Sequence, residues 1–332
     1  MSKGDSPMPD DPGKTPSSGL TPAQTPPPEM PAAERAMKNA FIGPNGIRAG
    51  WRLVIFLILF VGMSLVVQAT LIHIPAIARH IHRPEKGAPV VMTARRQIFS
   101  EGLVVLILFF SVWLMSLLEK KTFGDYGLPA KGAFGKRFWQ GIAYGFASIS
   151  LLMGAIAALH GFSIASLDLT GAEIWKYGVL YGIGFVLVGF FEEFSFRGYM
   201  QATLASGMGF WPAAFVLALL FGAAHAGNPG ERIFGLVMAG SYGLFAAFTL
   251  ERTGNLWFAI GDHAAWDWGE TYFYSTPDSG MLAKGHLLNS SFHGPAWLTG
   301  GTVGPEGSWL VFGVVVLTFI GVHFLFPAKK AA

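Results

Sequence analysis

The chain has 332 residues, of which 52% are hydrophobic and only 13% charged, with a mean hydropathy of +0.46. Soluble domains carry charge on about a quarter of their residues, so this composition excludes a water-soluble globule. A net charge of +3 is too small to suggest a nucleic-acid partner, and a chain without cysteine forms no disulfide and does no thiol chemistry.

Residues 1–45 form a separate compositional block. The stretch MSKGDSPMPDDPGKTPSSGLTPAQTPPPEMPAAER holds nine of the twenty prolines and no large apolar cluster. Such a segment buries too little surface to fold, which predicts a disordered, partly polyproline tail that can dock protein partners. It has no apolar core of its own, so it is not a cleavable signal peptide. Residues 46–332 then read as one transmembrane domain.

Eight apolar segments follow in order, at about 51–77, 98–118, 138–160, 174–200, 211–227, 231–250, 255–274 and 307–326. Each is near the ~20 residues that cross a bilayer as a helix, and inside lipid every backbone group must be satisfied internally. The fold class expected is therefore all-α: a polytopic membrane helical bundle of about eight transmembrane helices. No internal repeat is visible. Lysine and arginine in the connections set the orientation. With the N-terminus inside, Arg35, Lys38, Arg48, Arg52, Lys120, Lys121, Lys131, Lys136, Arg137, Arg252, Lys329 and Lys330 fall inside. Arg79, Arg83, Lys86, Arg95, Arg96, Arg232 and Lys284 fall outside. The bias favours both termini in the cytoplasm. The 275–307 connection, rich in Gly, Ser and Pro but carrying Leu287, Leu288, Phe292 and Trp297, is long for a compact bundle and suggests a lid or shallow re-entrant segment.

Three places put ionisable side chains inside spans: Glu192, Glu193 and Arg197 in FFEEFSFRGY; His225 in FGAAH; and Asp262, His263 and Asp267 in GDHAAWDW. Such groups are costly in a membrane and normally face an interior cavity. Glu193 and Arg197 are i and i+4 and can pair on one face. Glu192 sits about 100° around the helix and is free for another task. His263 and Asp267 are again i and i+4. Counted from the turn near residues 208–209, Glu192 and His225 lie about 25 Å along their helices at 1.5 Å per residue. Counted from the turn near Gly254, His263 and Asp267 lie about 14–20 Å along theirs. The three places can share one chamber.

Taken singly, each has a structural explanation. Glu193 and Arg197 can lock helices, His225 can bond a backbone carbonyl, and Asp262 beside Gly261 can be merely hydrated. His286 and His293 in the loop are expected to be solvated rather than ligands. Taken together, a carboxylate and imidazoles in a dry cavity can activate water as a general base, or hold a divalent metal such as zinc through Glu192, His225 and His263 that acidifies it. A further imidazole or short polar side chain can stabilise an oxyanion. That equipment suits peptide-bond hydrolysis without a serine or cysteine nucleophile.

The set Glu192-Glu193-x-x-x-Arg197, Phe221-x-x-x-His225 and His263-x-x-x-Asp267 resembles the CPBP intramembrane proteases. That family comprises CAAX-type prenyl endopeptidases and the bacteriocin-processing or immunity relatives of the Abi group. The resemblance covers residues 174–275, about a third of the chain. It implies a chamber reached from the cytosolic side, in which Glu192 and His225 activate water and His263 and Asp267 stabilise the oxyanion or help hold a metal. Glu193 and Arg197 then support these groups, a membrane-associated peptide or protein is the substrate, and a bacterial cytoplasmic membrane is the expected location. Many members have asparagine where this chain has Asp267. An ionised aspartate only accepts hydrogen bonds, so here it must be protonated, orient His263 or bind metal. The alternatives to a protease are a scaffold or bacteriocin-immunity module that binds in the same chamber and, ranked last, a proton-coupled transporter.

Overall fold

The computed structural model describes residues 39–44, 46–74 and 91–328. The Pro-rich tail up to residue 38, the basic residues Arg79, Arg83 and Lys86, and Lys329 and Lys330 lie outside the described residues.

Among the described residues, eight helices build the bundle: α1 (Ala49–Leu71), α2 (Ala94–Glu119), α3 (Lys136–Ala158), α4 (Ala172–Met208), α5 (Phe210–Ala224), α6 (Ile233–Thr253), α7 (Trp257–Trp268) and α8 (Leu310–Leu325). Among the described residues, six helical segments, counting α5 with the turn that follows it to Gly227, are long and apolar enough to cross a membrane. The all-α bundle of about eight helices expected from the sequence is thus present, as six such helices and two shorter ones among the described residues. At 16 residues α8 is one of these, and at 12 residues, followed by a π-helical turn over Gly269–Phe273, α7 is the other. The reason is plain for α7. Every residue from Trp257 to Asp267 is buried by protein, so it is the central helix of the bundle and need not match the lipid thickness. By contrast α4 runs for 37 residues, roughly 55 Å if straight, and must tilt or emerge from ~30 Å of hydrocarbon.

Small residues set the closest contact. Gly141 and Gly145 on α3 form a G-x-x-x-G pair facing α7, where an added Cβ would collide with the carbonyls of Phe258 and Asp262. Gly261 returns the contact against the Phe138 carbonyl. Helices in lipid associate through such close backbone approach, because hydrophobicity alone does not separate protein from acyl chains. A leucine at Gly145 is expected to cost roughly 1–3 kcal/mol or more by overpacking. The check is the thermal unfolding of the detergent-solubilised variant, which should unfold well below the wild-type temperature.

A polar clamp fixes one end. Arg52 of α1 reaches Glu119 of α2 at 2.6 Å, Tyr199 of α4 donates to the same carboxylate at 2.7 Å, and Arg52 also bonds Ser206. Aromatic packing of Phe56 on Tyr199, with ring centroids 4.4 Å apart, continues this contact into the core.

The long connection between α7 and α8 is folded. Strands β1 (Ile42–Gly43) and β2 (Gly46–Ile47) make a small hairpin ahead of α1. Beyond the helices, β3 (Val91–Thr93) pairs parallel with β5 (Leu282–Lys284), and β4 (Phe162–Leu167) pairs antiparallel with β6 (Leu288–Phe292). These ladders tie the 275–307 segment to the N-terminus of α2 and to the α3–α4 connection. His286 bonds the Leu288 carbonyl at 3.0 Å and His293 bonds Ser163 at 2.8 Å, so both loop histidines hold this segment in place.

Two carboxyl groups of the same segment interact, Asp278 buried and Glu306 partly buried. Burial, followed by repulsion from Glu306, pushes the Asp278 carboxyl up from the ordinary 3.8 to about 7, and burial likewise raises Glu306. A carboxyl group raised in the folded state binds its proton more tightly there than when unfolded. The stability it contributes is full below pH 3.8 and is lost as pH rises through about 7. Asp278→Asn is therefore expected to raise the melting temperature at pH 8 and leave it nearly unchanged at pH 4, measured on the same preparation.

Candidate active site

Residues Glu193–Met200 continue α4 as a π-helical stretch. Such bulges widen the turn and recur at functional sites. Here the stretch buries Glu193 and Arg197 completely inside the bundle, at 0% and 2% side-chain exposure, while Glu192, at its edge, keeps 22%. The two adjacent carboxylates therefore meet different surroundings, as their angular separation on a helix requires.

Glu193 sits at the centre of a buried network. Its Oε1 lies 3.3 Å from Nη1 of Arg197 and 2.7 Å from Nδ1 of His263. Arg197 also donates from Nε to the Gly243 carbonyl at 3.3 Å and lays its guanidinium over the Phe221 ring, 4.0 Å from the centroid. A side chain at Gly243 would press on that guanidinium and force it to shift. Because a carboxylate accepts, Nδ1 of His263 is the donor, and its Nε2 points the other way. Nε2 lies 3.6 Å from Oε2 of Glu192 and 3.6 Å from Oδ2 of Asp267. One imidazole thus spans from the buried ion pair to the two more accessible carboxyl groups.

His225 caps the C-terminal end of α5. Its Nδ1 lies 2.8 Å from the Phe221 carbonyl, and its ring packs on Phe221 at 4.7 Å. A carbonyl can only accept, so Nδ1 carries a proton, and in the neutral ring Nε2 is then the nitrogen with the lone pair. Glu192, His225, His263 and Asp267 line one cavity of about 660 Å³. The structure brings Glu192, Glu193, Arg197, His263 and Asp267 into one contact chain. His225 shares the cavity with them but makes no hydrogen bond or ion pair to them among the described residues.

Several lining groups escaped the sequence reading. Glu101 on α2 faces the same cavity, as do Glu231 ahead of α6 and Asp278 and Glu306 from the loop. Glu101 lies inside the predicted span 98–118, and the fully buried Glu270 lies inside the span 255–274. A census of charged residues within spans finds both, and counting three places missed them. Tyr242 on α6 was also missed. Its hydroxyl donates to Oδ2 of Asp262 at 3.0 Å and its ring meets His263 edge-on, 5.2 Å between centroids. Asp262, which had only hydration to recommend it, is 2% exposed and lines the cavity.

Each histidine keeps Nε2 for the cavity, yet among the described residues no three His, Asp or Glu side chains gather closely enough to hold an ion. The set does not fit a resident metal in this arrangement.

Comparison with known proteins gives one family. Residues 173–269 match the family model described as Type II CAAX prenyl endopeptidase Rce1-like. The matched segment begins in α4 and ends at the turn after α7, so it contains all of Glu192, Glu193, Arg197, His225, His263 and Asp267. No curated protein and no solved structure matched the chain.

Proposed function

From an Rce1-like domain set in a multi-pass membrane protein, we propose that the chain is an intramembrane endopeptidase that hydrolyses a peptide bond of a membrane-associated peptide or protein. The observation that carries this reading is the single cavity shared by Glu192, His225, His263 and Asp267, backed by the buried Glu193–Arg197 pair.

In the proposed reaction, Glu192 and Nε2 of His225 take a proton from a water molecule as it attacks the scissile carbonyl. The carbonyl carbon becomes tetrahedral and its oxygen gains the negative charge. Nε2 of His263, protonated and donating, faces that oxygen. Asp267, 3.6 Å from the same nitrogen, orients the ring and balances its charge, or itself donates when protonated. Collapse of the intermediate breaks the C–N bond, and the proton held by Glu192 or His225 passes to the leaving amine. Glu193 acts as a positioning residue, because its 2.7 Å bond fixes the His263 ring. Arg197 positions Glu193 in turn.

The competing reading is a scaffold or bacteriocin-immunity module that holds a partner in the same chamber, aided by the Pro-rich tail. The two separate in one experiment. The protein is reconstituted in liposomes with membrane-anchored peptides, and new peptide termini are sought by mass spectrometry. An endopeptidase generates them; a scaffold leaves every peptide intact while retaining it on the protein. Repeating the digest after dialysis against a chelator tests the metal alternative, and the geometry favours undiminished cutting.

A further inference from the structure

The bundle has two unlike ends, and the chamber belongs to one of them. The start of α1 and the end of α2 share the clamp of Arg52 and Glu119, which the end of α4 joins through Ser206. The end of α8 lies at this clamp end too. There Phe326 meets Phe258 at the start of α7, ring centroids 5.2 Å apart, and lies under the guanidinium of Arg137 at the start of α3. The 275–307 segment and its strand ladders sit at the other end.

The chamber is lined by the helix portions next to that loop end. Counted from there, α2 contributes residues only up to Glu101, α6 only up to Phe245 and α8 only up to Thr318. Helix α5 runs the opposite way and contributes from Phe221 onward. Arg96 and Ser100 of α2 and Ser279 and Glu306 of the loop line the chamber and reach the surface. Toward the clamp end the space is closed, because Leu256, Trp257, Phe258 and Phe326 are buried there in apolar clusters.

This layout makes two expectations from the sequence incompatible. Helix α1 starts and α8 ends at the clamp end, away from the chamber. Cytoplasmic termini and a chamber reached from the cytosol therefore exclude each other. Charge decides between them, since anionic headgroups and the bias of membrane insertion hold basic connections on the cytoplasmic side. The connection from Lys120 to Arg137 alone holds five lysines and arginines. By place in the sequence the clamp end carries twelve from Arg35 onward, against eight at the loop end with Lys176 included.

We infer that the chamber opens on the extracytoplasmic face of the membrane and takes a peptide segment presented from that side. On the endopeptidase reading, which this inference deepens, the substrate is the exported part of a membrane-anchored peptide or protein, cut after it has crossed the bilayer. A cytosolic chain tethered to the inner leaflet is not a substrate, whatever its anchor. The cytosolic approach implied by the family resemblance is reversed in this chain.

The absence of cysteine allows single thiols to report the facing of each end. Ser279→Cys places one in the chamber wall, Ser166→Cys one on the exposed part of β4, and Ala133→Cys one on the exposed turn before α3. Each full-length variant is expressed in bacteria, and spheroplasts are treated with a membrane-impermeant maleimide before and after permeabilisation. Intact spheroplasts are expected to label Ser166→Cys and Ser279→Cys, and to leave Ala133→Cys unlabelled until the membrane is opened. The reverse pattern, or both ends labelled alike before permeabilisation, overturns the inference. If Ser279→Cys misfolds, Ser166→Cys against Ala133→Cys gives the same answer. In a second arm, an anchored peptide is added to right-side-out and to inverted vesicles holding the wild-type chain, and new termini are read by mass spectrometry. Cutting confined to right-side-out vesicles supports the inference. Cutting confined to inverted vesicles, or equal in both, overturns it and leaves the endopeptidase reading standing. If neither preparation cuts, the endopeptidase reading fails, and the labelling pattern alone decides which way the chamber faces.

Discussion

Arg197→Ala is expected to unfold the bundle more readily by about 3–5 kcal/mol, the cost of leaving one partner of a buried ion pair uncompensated. Both side chains are buried, at 2% and 0% exposure, and water cannot replace the lost guanidinium. The loss goes beyond the pair. Arg197 also donates to the Gly243 carbonyl and covers the Phe221 ring, so its removal loosens α4 from α5 and α6 together. Arg197→Lys keeps the charge but cannot both reach Glu193 and lie flat on Phe221, and an intermediate melting temperature is expected. Thermal unfolding in detergent reads all three proteins. Any Arg197→Lys protein that remains folded should show a lower kcat with KM little changed, because a mobile Glu193 no longer fixes His263. A purely structural role would leave kcat untouched.

His225→Ala should behave in the opposite way, with a large loss of cleavage and little loss of stability. Its ring is half-buried, its hydrogen bond goes to the carbonyl four residues earlier on its own helix, and no described ion pair depends on it. Removing a general base typically lowers a rate by about 10²–10⁴. His225→Gln, which can still donate to the Phe221 carbonyl, is expected to restore the packing and none of the rate. Rates near wild type in either variant would remove His225 from the mechanism.

The helical fold was legible because lipid leaves the chain little choice. Windows of apolar residues had to be helices, and each of the eight segments contains one in the structure. What hydropathy could not convey is whether a window faces lipid or protein. The α7 segment, interrupted by Asp262, His263 and Asp267, is less apolar than α8, and protein encloses all of it from Trp257 to Asp267. The strand ladders of the loop were also illegible. They depend on pairing partners far apart in sequence, such as Phe162 with Phe292.

At the site, i and i+4 spacing identified the pairs Glu193–Arg197 and His263–Asp267, which lie 3.3 Å and 3.6 Å apart. Spacing within one helix says nothing of contacts between helices. The 2.7 Å bond from His263 to Glu193 joins α7 to α4, and the Tyr242 bond to Asp262 joins α6 to α7.

Glu192 is the proposed water activator, and one substitution removes that role alone. Glu192→Gln preserves shape and hydrogen bonding while removing the base, and at 22% side-chain exposure it should not disturb folding. With a membrane-anchored peptide that wild-type protein cuts in liposomes, Glu192→Gln with an unchanged melting temperature is expected to yield no new peptide termini by mass spectrometry over the same interval. New termini appearing at the wild-type rate would contradict the mechanism.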